Sequence, residues 1–156
     1  MKIIKPITFL AACLIALGAP ALHASEKSIP RAQLPAAVQK TADEQSKGAT
    51  IKRYIMDNEG GKPEYEVEMN ANGHSKDVTI APDGTLLEVE EQVELSSLPP
   101  AVAEGLKLKA GKGTITMVES LTKKEHIVAY EAQVVTAGKR SEVQVGPDGK
   151  PLDHEE

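Results

Sequence analysis

The sequence predicts an α+β protein made of two tandem repeats, each a helix packed on a four-stranded antiparallel sheet. Two observations carry that prediction. The chain says the same thing twice: Leu34-Pro35-Ala36-Ala37-Val38 returns 64 residues on as Leu98-Pro99-Pro100-Ala101-Val102. Tyr65-Glu66 and Pro82-Asp83-Gly84 return 65 residues on as Tyr130-Glu131 and Pro147-Asp148-Gly149. One single-residue slip across the whole copy marks a duplication. Within each copy a helical period gives way to period-2 alternation broken by turn residues. The expected organisation is a signal peptide over residues 1–24, a first repeat over 25–93 and a second over 94–156.

Each copy is expected to open with a helix. Pro35 stands in a first turn, where a missing N–H costs nothing, and Leu34, Val38 and Ala42 make an apolar stripe. Gly48 closes the helix. The second helix starts at Pro99 or Pro100, uses Val102 and Leu106, and stops by Gly111. Four strands follow in the first copy. Thr50–Met56 leads through the Asn58-Glu59-Gly60-Gly61 turn to Glu64–Asn70, in which Tyr65, Val67 and Met69 face one way and Glu66, Glu68 and Asn70 the other. Asn72-Gly73 turns the chain into Asp77–Ala81, with Val78 and Ile80 inward, and Pro82-Asp83-Gly84 turns it into Thr85–Gln92. In the second copy the strands are Thr114–Leu121, His126–Thr136 with Tyr130, Ala132 and Val134 inward, a strand with Val143 and Val145 inward, and a short last strand carrying Leu152. Units of about 65 residues are small for independent stability, so the halves should pack together, with the sheets joined or abutting.

The N-terminus reads as a cleaved secretory signal. Lys2 and Lys5 form a basic start, Phe9–Leu17 an apolar core, and Ala24 or Ala21 a cleavage position. Gly18 and Pro20 interrupt the run, which argues against a transmembrane span. Leu10-Ala11-Ala12-Cys13 is lipobox-like, but the apolar run continues past Cys13 to Leu17, so the lipoprotein reading is the weaker one. Cys13 is the sole cysteine, so cleavage leaves a chain without disulfide or thiolate chemistry. Loss of Lys2 and Lys5 takes the formal charge from −5 to −7. An acidic chain without a basic cluster is no nucleic-acid binder, and after cleavage nothing is left to hold a membrane.

The residues then resemble a known family. The Leu-Pro-x-x-Val helix start, Tyr65-Glu66-Val67-Glu68 and Asp83-Gly84-Thr85-Leu86-Leu87 are similar to the PepSY-like domain, which includes β-lactamase-inhibitor-like proteins of bacterial envelopes. Tyr130-Glu131-Ala132-Gln133 and Asp148-Gly149-Lys150-Pro151-Leu152 match more loosely. The resemblance implies a helix-on-sheet fold in a secreted setting and a sheet face that docks on a protein. It brings no catalytic residues.

The candidate chemistry lies on the sheet face away from the helices. Glu66, Glu68, Glu88, Glu90, Glu131, Glu142, Asp153 and Glu155 should line it. The residues expected to meet a partner are Tyr54, Glu66, Glu68, Glu88, Glu90, Glu131, Gln133 and Glu142, with Tyr54 the aromatic turned outward. The plainer reading is a solvated face that blocks aggregation by charge. Clustered carboxylates could hold Ca²⁺ weakly, although Asp83-Gly84 and Asp148-Gly149 lack the spacing of a strong loop site. His74, His126 and His154 have no ligand spacing, and no nucleophile elbow is present, so neither a transition-metal site, a cofactor nor an enzyme is expected. The expected function is a non-catalytic periplasmic or secreted interaction module, an inhibitor or regulator of an envelope or secreted protein. The alternative is a cation or small-ligand sensor using the acidic face.

Overall fold

A computed structural model describes residues 26–58, 62–154 and 156. The signal segment with Cys13, residues 59–61 of the first turn, and Glu155 lie outside the described residues. The elements are β1 (Lys27–Ile29), α1 (Ala36–Gln45), β2 (Ala49–Asp57), β3 (Glu64–Ala71), β4 (His74–Ile80), β5 (Leu86–Gln92), α2 (Pro100–Ala110), β6 (Thr114–Lys123), β7 (His126–Thr136) and β8 (Lys139–Val145). All eight strands form one antiparallel sheet whose spatial order is the chain order.

This corrects the expected pair of helix-plus-four-strand units. β5, the last strand of the first expected unit, is paired on both sides, so the sheets are joined rather than abutting. Asp77↔Glu90 and Val78↔Val89 join it to β4, and Glu90↔Leu121 and Gln92↔Glu119 join it to β6. Two separate sheets would each leave a row of unpaired N–H and C=O groups at the junction, and fusion removes both rows. The eighth strand is also not the one expected. It is β1, ahead of α1, with Ile29 opposite Tyr54. The segment carrying Leu152 forms no strand, in keeping with the missing N–H of Pro151.

Both helices cover the same side of the sheet. Under α1, Val38 and Ala42 pack with Leu34, Tyr65, Val67, Met69, Val78 and Ile80. Under α2, Val102 and Leu106 pack with Val118, Tyr130, Ala132, Val134 and Val145. The alternation in the sequence therefore places these inward residues correctly. Among the described residues, the opposite side of the sheet has no helix.

The two Pro-Asp-Gly turns are built alike and lock each helix to its sheet. In each, the Asp carboxylate accepts the backbone N–H two residues on: Thr85 to Asp83 at 2.9 Å and Lys150 to Asp148 at 3.0 Å. Gly84 and Gly149 take φ of +88° and +79° and pass close to the first turns of α1 and α2. A Cβ on Gly84 would lie 2.9 Å from the Ala37 carbonyl oxygen, and one on Gly149 would overlap the Ala101 carbonyl outright. The Thr41 hydroxyl also donates to Gly84 O at 2.7 Å.

Gly149→Ala combines positive-φ strain with backbone overlap and is expected to lower unfolding free energy by at least about 3 kcal/mol. Gly73→Ala, at φ +91° with open space around it, carries the strain alone and should cost about 1–2 kcal/mol. Urea denaturation of the two variants checks the order, and equal losses would contradict the turn-on-helix packing.

Candidate functional site on the acidic sheet face

The helix-free side of the sheet is carboxylate-lined because alternation sends every second residue there. Cross-strand registers lay the side chains in rows. One row runs Arg53–Glu68–Asp77–Glu90–Leu121, and another Gln92–Glu119–Glu131–Gln144. All but Gln92 line a concavity of about 480 Å³ that includes nine carboxylates (Glu26, Glu66, Glu68, Asp77, Glu90, Glu119, Glu131, Glu142 and Glu156) and, among the described residues, Arg53 as its lone cationic side chain.

Two β-bulges at matching places decide who reaches this face. The register shifts between Ile51 and Arg53 in β2 and between Ile115 and Met117 in β6. Each extra residue flips the parity of the strand beyond it. Arg53 and Met117 are thereby turned onto the acidic face. Tyr54 is turned the other way, against the core under α1. Simple alternation from Ile51 puts Tyr54 outward, and the bulge overturns that expectation.

The remaining expected residues are on the acidic side but are not equivalent. Glu68 is held by Arg53 in a short ion pair. Glu88 is held by Lys123 at 3.0 Å, and Lys123 also reaches Glu156 at 3.3 Å. Glu131 accepts from Gln144 Nε2 at 2.8 Å. Gln133 stands opposite Met117 and Glu142. Glu142 is exposed and Asp153 lies beyond the last strand. Where the first half sets Arg53 opposite Glu68, the second sets Met117 opposite Gln133, so a charged pair is exchanged for a neutral one.

Sequence reasoning missed Asp77 and Glu119. Their neighbours Val78 and Val118 point into the core, so strand parity alone could have placed both on the acidic face. Depth could not be read that way. Glu119 is only 4 % exposed, and Asp77 Oδ1 and Glu119 Oε1 are buried with no hydrogen-bond partner. One carboxylate oxygen from each of Asp77, Glu90 and Glu119 lies within 4.8 Å of the others.

The crowding shifts protonation. Burial, reinforced by Asp77 and Glu68, pushes Glu66 up to about 7. Burial, with the neighbouring charges of Asp77, Glu131 and Glu142, pushes Glu119 up to about 7. Burial and a hydrogen bond to Glu88, with the charges of Glu88, Glu119 and Glu131, push Glu90 up to about 9. Asp77 is raised by burial and by Glu68, although the Met69 backbone N–H and the cations Lys52 and Arg53 oppose the rise.

A single sheet with helices on one side and a concave carboxylate face on the other defines a one-sided scaffold. No protein-family profile matches the chain, and no curated protein does. Solved structures share the fold. A Bacteroides eggerthii protein described as periplasmic superposes with a TM-score of 0.61 at 18% identity, covering 76% of this chain and 86% of that one. A BLIP-like protein from Bacteroides fragilis gives 0.56 at 21% identity, covering 81% and 86%. A DUF2874 family protein from Bacteroides ovatus gives 0.59 at 18% identity, covering 77% and 85%. The chain thus has a BLIP-like fold, and the PepSY-like domain is not singled out among these neighbours.

A carboxyl whose folded pKa lies above its unfolded value binds more protons folded than unfolded between the two. For Glu66, Glu119 and Glu90, stability is therefore full below the ordinary value of 4.5 and is lost as pH rises through about 7, about 7 and about 9. In buffer free of divalent cations the unfolding midpoint should fall steadily from pH 5 to pH 9. Glu119→Gln should remove part of the slope, on the order of 1–2 kcal/mol after allowing for solvent screening. A midpoint that rises across this window would contradict the assigned protonation.

Proposed function

We propose that this protein is a non-catalytic binding module of the periplasm or extracellular space, using its carboxylate-lined sheet face to dock a basic segment of an envelope or secreted protein and restrain it. The observation that carries this reading is the imbalance of the face: nine carboxylates around one concavity with a single guanidinium among them. Like charges brought together at a cost in folding free energy suit a ligand of opposite sign. The helix-free side is free to receive a chain, since the helices and both cores occupy the other side. The compartment is supported by the signal-like start and by neighbours described as periplasmic. No helix of the described residues is long and apolar enough to cross a membrane.

Titration calorimetry with a Lys-Ala alternating peptide and its Glu-Ala counterpart tests the docking. The basic peptide should bind, and its affinity should fall about tenfold between low and physiological salt as charges are screened. Glu66→Gln with Glu131→Gln should weaken it by about 1 kcal/mol per site. Equal binding of the acidic peptide would exclude the proposal.

For the compartment, mass spectrometry of the protein exported by a Gram-negative host should find Ser25 as the first residue. A start at Leu22 would assign cleavage after Ala21, and a lipid-modified Cys13 would replace the soluble form by an anchored one.

A further inference from the structure

We propose that Asp77, Glu90 and Glu119, from three adjacent central strands, form a binding site for a hard divalent cation, calcium foremost. The site does not depend on the docking of a basic segment, since only these three side chains are needed.

The geometry is the first support. One carboxylate oxygen from each residue lies within 4.8 Å of the others. Oxygens that share a calcium ion at 2.3–2.6 Å sit about 3–5 Å apart, so the three converge on one ion without backbone movement. β4, β5 and β6 are interior strands, each hydrogen-bonded on both sides. The ligands therefore stand on rigid elements rather than on loops.

Glu119 is the second support, independent of the cluster. It is 96 % removed from solvent by its 4 % exposure, and its Oε1 has no hydrogen-bond partner. At the corresponding place 64 residues earlier the chain has Ile55, 2 % exposed, facing Glu66 as Glu119 faces Glu131. The position therefore accepts a buried aliphatic side chain in one half of the molecule and holds a carboxylate in the other. A buried carboxyl oxygen without a partner carries a desolvation cost that an apolar group of similar size does not. Asp77 Oδ1 is orphaned in the same way. A cation held by the three carboxylates would offset this cost and remove their mutual repulsion.

The donor chemistry selects the ion. All three ligands are carboxylates, with no His or Cys among them, which favours hard cations over zinc or copper. Three carboxylates, each able to bind through one or two oxygens, leave the remaining positions to water, as calcium with its six to eight ligands allows. Magnesium demands a tighter octahedron and gives up water reluctantly. The neighbouring Glu68 and Glu88 are held by the cations Arg53 and Lys123, whereas no ion pair is formed by Asp77, Glu90 or Glu119 among the described residues.

Thermal unfolding of the full-length chain after chelation, with CaCl₂, MgCl₂ or NaCl at matched ionic strength, tests the site. Calcium should raise the midpoint by about 3–6 °C at ten times its Kd, beyond the NaCl control. Magnesium should do less. Asp77→Asn and Glu119→Gln, near-isosteric changes, should each weaken calcium binding at least about tenfold by equilibrium dialysis. Glu142→Gln, on the same face but outside the trio, should leave it unchanged. No midpoint rise beyond NaCl in the parent chain overturns the proposal. Equal losses in Glu142→Gln and Glu119→Gln also overturn it, by assigning the effect to the general charge of the face. Should one variant fail to fold, the other, with the dialysis stoichiometry of one calcium per parent chain, decides.

Discussion

The two-sided pairing of β5 is the constraint on which the rest of the molecule depends. Its ladders to β4 and β6 turn two short meanders into one sheet. Because cross-strand partners share a face, they also carry one inside and one outside across the whole sheet. Both helices then fall on the same side, over two neighbouring cores. The carboxylates of both halves fall on the other, where they meet around β4, β5 and β6. Without that pairing there would be two modest acidic patches instead of one concavity. The crowding of Asp77, Glu90 and Glu119 is a direct product of it, since they come from both sides of the join.

Much of the local structure was legible because its causes are local. Tyr65, Val67 and Met69 alternate with acids, and the turn residues sit where positive φ is needed, so strands, hairpins and inward faces followed from period and turn chemistry. The long-range choice was not legible. Nothing in Leu86–Gln92 distinguishes an edge strand from a central one, because its charged residues suit either. The strand β1 is three residues long and has no pattern to read. The bulges at Lys52 and Thr116 were hidden too, and with them the inward turn of Tyr54. A bulge is a single unpaired residue, and it reverses the face of everything beyond it.

The acidic face shows the same limit in another form. Parity can say on which side of a sheet Glu119 lies, but its depth depends on how the strands curve and on which neighbours have long side chains. Ile55 and Glu119, alike in place, both lie on the helix-free side once the bulges are counted, and both are buried. The difference between the halves is thus small in sequence and large in chemistry. An aliphatic residue and a carboxylate share one pocket design, and the carboxylate carries the desolvation cost. The exchange of Arg53 with Glu68 for Met117 with Gln133 is of the opposite kind, since it changes two residues together and leaves no charge unpaired.

The strand order has a consequence for how the chain reaches this state. Every strand lies beside its neighbour in sequence. Most pairings close across hairpins, and the longer closures are residues 30–48 and 93–113, each shortened by its helix. No closure spans a distant part of the chain, and short closures cost little entropy to form. A polypeptide threaded through a translocon emerges one end first. Such a topology lets each hairpin form as it appears and present a paired edge to the next, without waiting for a distant strand to arrive.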